Sequence, residues 1–201
     1  MKASVYSRPA KPLFVSVKQR DDFEKLAKAE PIEIIAVDKA TECHVTPDDV
    51  ADRMVSYLGP KGDYLTLEPS AGTGQLTKAL LRSGHSQFEI TQIERHIKLA
   101  AGLHKLGPVI NRCFLEYASE AVGKVEFPRV LMNPPFREVR QHIRAALSLM
   151  GRNGHTEPAT LVALVPITFE HPDAETLEVL PSDTFATAKV NTKIIRIRKE
   201  P

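Results

Sequence analysis

From Tyr64 to Ile167, short apolar runs of strand length alternate with stretches of helical period, and this alternation leaves few folds open. "YLTLE" leads to "QLTKALLRSG", "FEITQIE" to "RHIKLAAGLHKLG", and "RVLMN" to "REVRQHIRAALSLMG"; "PVINRCFL" and "TLVALVPI" add a third and a fifth strand candidate. Strands separated by helices of this length form βαβ units, whose parallel sheet is covered on both faces. The end of the chain breaks the pattern. "TLEVL" and "TKIIRIR" are two β candidates joined by "PSDTFATAKVN", with no room for a long helix between them. The expected fold is therefore α/β: a mostly parallel sheet with a C-terminal antiparallel hairpin and helices on both faces.

Ahead of the alternation, Thr46 reads as an N-cap, Pro47 as the first helical residue, and Asp48 and Asp49 as acids on the positive helix end. Val50, Met54, Val55 and Leu58 form the apolar stripe, and Gly59-Pro60 the stop. Residues 1–42 read as a basic N-terminal arm, with a short helix over "RDDFEKLAKAE" and one apolar run, "IEIIAV". Residues 43–201 read as a single domain, and 201 residues are enough to bury a proper core. With 42% apolar and 26% charged residues, the composition is that of a soluble globular protein. No segment reads as a signal peptide or is long enough to span a bilayer. Two cysteines, Cys43 and Cys113, make no disulfide framework, so a reducing, cytoplasmic setting is expected. No metal is expected either, because Cys43-His44 has no second ligand pair at zinc spacing.

In an open α/β sheet, ligands bind beyond the carboxyl ends of the strands, where the strand order reverses. Three features fall at such ends. In "LEPSAGTG", Gly72 and Gly74 allow a sharp turn and a close approach of backbone to ligand. Glu94 follows Gly74 by twenty residues, at the end of the next strand, where a carboxylate accepts hydrogen bonds from ribose hydroxyls. Together they describe a pocket for a nucleoside-containing cofactor. It is not a dinucleotide pocket, because Thr77 stands where the third glycine would be, and no Walker lysine is present. Taken singly, the turn reads equally as a tight strand-to-helix connection, and Glu94 as a solvated acid beside Arg95 or Lys98.

The third feature is Asn133-Pro134-Pro135-Phe136, directly after the strand "RVLM". An exocyclic amine on adenine is a poor nucleophile because its lone pair is delocalised into the ring. A site that uses it must accept both amine hydrogens and hold the nitrogen in line with an electrophile. The Asn133 side-chain oxygen offers one acceptor and the Pro134 carbonyl another, and the prolines make both rigid. Phe136 offers a face on which a planar base stacks, worth about 1–3 kcal/mol. The competing reading is a proline turn with a core phenylalanine.

With these motifs in order, the chain resembles the class I S-adenosylmethionine-dependent methyltransferases of the amino-methylating kind, most closely the N6-adenine methyltransferases. The matching elements run from "HVTPDDVADRMV" through "LEPSAGTG", "QIER" and "NPPF" to "TFATAKVNTKIIRIRK". The resemblance implies a Rossmann-like methyltransferase fold and S-adenosyl-L-methionine as cofactor. It implies that Thr46, Glu68, Pro69, Ser70, Ala71 and Gly72 hold the cofactor's methionine portion, that Glu94 binds its ribose, and that Arg95 lies beside its adenine, on which Phe114 packs. Asn133, Pro134, Pro135 and Phe136 would hold the target amine. Thr46 can serve as a helix cap at the same time. Family members commonly carry Asp before this Phe, as acceptor for the cofactor's adenine amine; here Cys113, a weak acceptor, occupies that place.

A net charge of +2 does not announce a nucleic-acid binder, but basic residues cluster locally. In the helix after NPPF, Arg137, Arg140 and Arg144 share one face, opposite an apolar stripe of Val139, Ile143, Ala146, Leu147 and Met150. That face would lie where the phosphates flanking a flipped base run, or it is simply solvated. The connections between elements leave no room for a target-recognition domain, and "TFEHPDAET" is too short for a helix after the fifth strand. Bare sheet surface there suggests a homodimer or a partner subunit. The expected activity is N6-adenine methylation of nucleic acid, DNA before RNA, with relaxed sequence preference. The alternatives are RNA, guanine-amine or protein glutamine-amide methylation, or a non-catalytic subunit of the same fold.

Overall fold

Each expected strand enters one seven-stranded sheet in the computed structural model, which describes residues 45–60, 62–185 and 190–199. The expected basic arm, 1–42, and the Cys43-His44 pair lie outside the described residues. Helix α1 (Asp48–Ser56) precedes β1 (Thr66–Glu68), α2 (Gln75–Arg82), β2 (Ile90–Ile93), α3 (Ile97–Leu103), β3 (Val109–Ile110) and α4 (Phe114–Ala121). Then follow β4 (Arg129–Met132), a 3-10 turn (Phe136–Glu138), α5 (Val139–Leu149), β5 (Ala159–Pro166), β6 (Ala174–Leu180) and β7 (Thr192–Lys199). Their order across the sheet is β3-β2-β1-β4-β5-β7-β6. The first five strands are parallel, and β7 runs antiparallel between β5 and β6. The chain direction across the sheet reverses between β1 and β4, so the binding crevice is expected at the carboxyl ends of that pair.

The side-chain period of the central strands divides the core in two. Val130 and Met132 of β4, and Leu161, Ala163 and Val165 of β5, meet α4 and α5 through Phe114, Ala118, Ile143, Ala146 and Leu149. Leu131, Val162 and Leu164 point the other way, onto Val50, Met54 and Val55 of α1 and Leu76, Ala79 and Leu80 of α2. Both faces of these strands are buried, which explains why they read as continuous apolar runs. Arg129 is 3% exposed at the start of β4. It donates to the Pro158 carbonyl (3.0 Å) and to Thr160 Oγ1 (3.1 Å), and lies 4.2 Å above the Tyr64 ring.

Three sequence expectations change. The third strand is two residues long, not the whole of "PVINRCFL": Cys113 caps a helix, and Phe114, Ala118 and Ala121 recur at helical spacing on its buried side. The segment "LEYASEAVGKVEFP", read as a connection, thus supplies α4. The cap of α1 falls on Pro47 rather than Thr46, with the Ala51 amide donating to the Pro47 carbonyl at 2.9 Å. Finally, α5 starts only at Val139, so Arg137 lies in the preceding turn and off the helical period that Arg140 and Arg144 follow. Residues 167–173 join β5 to β6 without a helix, with Phe169 turned into the core. No helix among the described residues is long and apolar enough to cross a membrane.

Candidate functional site

The loops at the carboxyl ends of β1, β2, β3 and β4 converge on one cleft of about 260 Å³, closed on one side by Val45 and Thr46 and on another by α5. Thr46, Glu68, Pro69, Ser70, Ala71, Gly72, Glu94, Arg95, Cys113, Phe114, Asn133, Pro135 and Arg137 all line it. Residues spread over ninety positions of sequence are brought together because all but Thr46, which precedes α1, stand at or beyond the carboxyl end of a strand of the same sheet.

Glu94 organises the turn. Its Oε2 accepts from the Gly72 amide (2.8 Å) and its Oε1 from the His96 amide (2.7 Å), while its own amide donates to the Ile110 carbonyl. A carboxylate offers about four acceptor positions, so two backbone bonds orient it and leave capacity for hydroxyl donors. A solvated acid paired with Lys98 or Arg95 would be exposed; Glu94 is 8% exposed. The neighbouring amide of Ala71 donates to the Ile93 carbonyl (3.0 Å), which ties the β1 turn to the end of β2.

Glu68 behaves differently. It is buried on the cleft floor, bonded to Thr77 Oγ1, which also meets Gln92 Oε1 at 3.0 Å. The Thr77 hydroxyl has one proton and two acceptors beside it. The chain closes when Glu68 carries a proton, donates it to Thr77, and Thr77 donates to Gln92. Burial, aided by the nearby charge of Glu94, pushes the Glu68 carboxyl up to about 8 from 4.5. Thr77, in the place of a third glycine, thus holds an acid and an amide under the turn. Between about pH 4.5 and 8 the folded protein keeps a proton that the unfolded chain has released, so stability falls as pH rises through that window. Glu68→Gln removes this dependence: its thermal midpoint should stay flatter than the wild type's across pH 5 to 8. Parallel curves for the two proteins would count against a protonated Glu68.

Asn133 and Thr46 face each other across the mouth of the cleft. Asn133 Nδ2 donates to Thr46 Oγ1 at 3.0 Å, joining segments 87 positions apart. With its nitrogen committed to Thr46, the amide turns its oxygen to the acceptor role. The one-residue shift of the α1 cap releases the Thr46 hydroxyl for this contact. Pro134 is buried beneath the loop, and Phe136 is half-buried in the 3-10 turn; neither is part of the cleft wall. Gly74 is not in the wall either. It caps α2 with φ +78°, and a Cβ there would stand 2.6 Å from both Leu103 Cδ2 and Leu106 Cδ1. Its missing side chain makes room for α3 packing, not for a ligand.

The three arginines divide between two surfaces. Arg137 lines the cleft, whereas Arg140 and Arg144 border a separate groove with Ile143, Leu147 and Phe169. Arg140 lies 5.6 Å from the Phe169 ring centre, and its Nη1 donates to the Glu170 carbonyl at 3.4 Å. Sequence reasoning missed Ile93, Leu99 and His142 in the cleft wall. His142 had left a signal: it is a polar residue on the buried side of α5, between Val139 and Ile143. No group of His, Cys, Asp or Glu among the described residues could hold a metal ion.

The same architecture occurs in solved structures. The methyltransferase subunit of a type I restriction-modification system from Streptococcus thermophilus superposes with a TM-score of 0.64 at 16% identity, over 78% of this chain and 44% of that one. A structure of an assembled type I restriction-modification system gives 0.60 at 18%, over 81% and 44%. TrmN from Thermus thermophilus gives 0.57 at 13%, over 76% and 48%. The fold is that of the class I methyltransferases. This chain spans less than half the length of each of these three proteins. No protein-family model and no curated protein matches the sequence.

Proposed function

We propose that the protein is an S-adenosyl-L-methionine-dependent methyltransferase that modifies the exocyclic amine of adenine in nucleic acid, DNA before RNA. The observation that carries this reading is the Asn133-Pro134-Pro135 loop, placed at the end of β4 beside a cleft whose other wall holds Glu94 and Phe114. The residues fit the cofactor: Glu94 retains acceptor capacity for ribose hydroxyls, Phe114 offers an aromatic face, and Ser70, Ala71 and Gly72 bring backbone close to the cleft. When bound, the cofactor supplies a methyl group on a positively charged sulfur, an electrophile for an amine held in line.

The protein's part is positioning. Asn133 Oδ1 and the Pro134 carbonyl accept the two amine hydrogens and keep the nitrogen lone pair aimed into the cleft. Two consecutive prolines hold those acceptors without a cost in order at each turnover. As the new C–N bond forms, the amine nitrogen turns positive, and both acceptors strengthen their hold before the surplus proton leaves to water. Phe136, at the outer end of the loop, is the stacking partner of a base brought in from solvent.

Arg137 at the cleft and Arg140 and Arg144 on the adjoining groove give the mouth a basic rim for phosphates. Arg137→Ala and Arg144→Ala should each weaken binding of DNA irrespective of sequence and lower the salt slope by about one. Arg140→Ala should also loosen the 167–173 link through the lost contacts to Phe169 and Glu170. Slopes that stay at the wild-type value in all three variants would remove the phosphate role. Target selection belongs in this reading to a further segment or a partner subunit, since the links at 122–128, 150–158 and 167–173 are short.

The deciding experiment is transfer of isotope-labelled methyl from S-adenosyl-L-methionine to duplex DNA, single-stranded DNA, RNA and a protein extract. Label recovered as N6-methyladenine supports the proposal, and label in a glutamine amide or in guanine moves the assignment. Cofactor binding without transfer to any of the four points to a non-catalytic subunit of this fold.

A further inference from the structure

His142 has no role in the mechanism above, yet it is the one imidazole of α5 and it lines the cleft. It is 5% exposed, so its polar atoms need partners. Nδ1 lies 3.1 Å from the Glu138 carbonyl oxygen, one turn back on the chain. A carbonyl only accepts, so Nδ1 carries the proton, and a neutral ring then has Nε2 as an acceptor. The ring is neutral at pH 7, because burial, the largest influence, pushes its pKa below the usual 6.5.

Nε2 finds no hydrogen-bond partner among the described residues. It is not sealed in the core either, since it is not among the buried polar atoms that lack partners. The opening available to it is the cleft that His142 lines. The ring centre stands 5.8 Å from that of Phe114, at an interplanar angle of 35°. An acceptor thus stands at the edge of the aromatic wall on which a flat heterocycle would pack. Arg95 and Arg112 in the same cleft wall offer only donors, and the Cys113 thiol is a weak acceptor that makes no capping hydrogen bond at the N-terminus of α4.

We propose that His142 Nε2 is the acceptor that reads the 6-amino group of the purine bound against Phe114. It would thereby set the site's preference for an adenine over a 6-oxo or unsubstituted purine. This rests on the cofactor reading above, and it identifies which side chain supplies its base specificity. The chemistry predicts a ranking that packing alone does not produce. An amine donates to Nε2, a bare C–H contributes nothing, and a 6-oxo group sets two acceptors against each other.

The test is calorimetric binding to the full chain of three ligands: S-adenosylhomocysteine, its analogue with hydrogen at purine position 6, and S-inosylhomocysteine. With the wild type, loss of the amine should weaken binding roughly tenfold, and the 6-oxo ligand should bind more weakly still. His142→Phe, which keeps a ring against Phe114, should bind all three within about twofold of one another. His142→Gln, which keeps an acceptor, should retain part of the ranking. Equal wild-type affinity for the amine and unsubstituted ligands overturns the proposal without any variant, and so does a ranking undiminished in His142→Phe. A wild type that binds S-adenosylhomocysteine but does not rank the ligands leaves the cofactor reading standing and removes His142 from it. A wild type that binds none of the three overturns both.

Discussion

Asn133→Ala should reduce methyl transfer by about 10²–10³-fold while leaving cofactor affinity within a few-fold of wild type. The variant deletes one of the two acceptors that hold the amine. Loss of a single preorganised hydrogen-bonding group at a reacting centre carries a penalty of that order. Cofactor affinity should largely survive because Glu94, Phe114 and the turn after β1 stand on other elements than the Asn133 loop, and only Thr46 among the groups assigned to it touches Asn133. One structural side effect is expected. Thr46 loses the amide that donates to it at 3.0 Å, so the segment before α1 should become easier to cleave with protease. Thr46→Val serves as the companion variant: it breaks the same contact but keeps the Asn133 amide, and should cost far less in rate. Single-turnover transfer with saturating cofactor separates the two, and equal losses in both variants would mean that Asn133 acts through loop order rather than as an acceptor.

Gly74→Val should lower the stability of the turn beside the cleft. The residue has φ +78°, a conformation that costs an L side chain about 1–2 kcal/mol. The added Cβ would also meet the terminal methyl groups of Leu103 and Leu106 at 2.6 Å, which can turn aside, so the overpacking should add about 1 kcal/mol, the low end of the usual cost. Together these give about 2–3 kcal/mol, and at roughly 2–4 °C per kcal/mol for a domain of this size the thermal midpoint should fall by about 4–12 °C. Gly123→Val is the control, since Gly123 has a similar φ of +76° but open space where a Cβ would go. It should suffer the backbone cost alone. If both glycines respond alike in thermal unfolding, the close approach of α3 to the turn is not what requires Gly74.

Much of the architecture could be read from the residues. The parallel core followed, because β4 and β5 are apolar on both faces and the helices between them keep a 3.6-residue period. The antiparallel ending followed because "PSDTFATAKVN" has no length for a crossover helix. Where a reading failed, two periods competed for the same residues. Phe114 and Leu115 resume the apolar character of "PVI" after Asn111-Arg112 and so look like strand, whereas the burial of Ala118 and Ala121 on the same side as Phe114 marks a helix.

The membership of the site divides the same way. Glycine turns, an acid at a strand end and Asn-Pro-Pro after a strand are local features, and chain order alone places them at carboxyl ends of strands in a parallel sheet. Contacts between distant segments are not local, and no spacing rule encodes them. The Thr46–Asn133 hydrogen bond, the Glu68–Thr77–Gln92 chain and the turning of His142 toward Phe114 each depend on which strands became neighbours. Gly74 illustrates the limit best. Its need for a left-handed conformation was visible in the turn, but what fills the space beside it was decided by how α3 packs, a long-range outcome of burying Leu103.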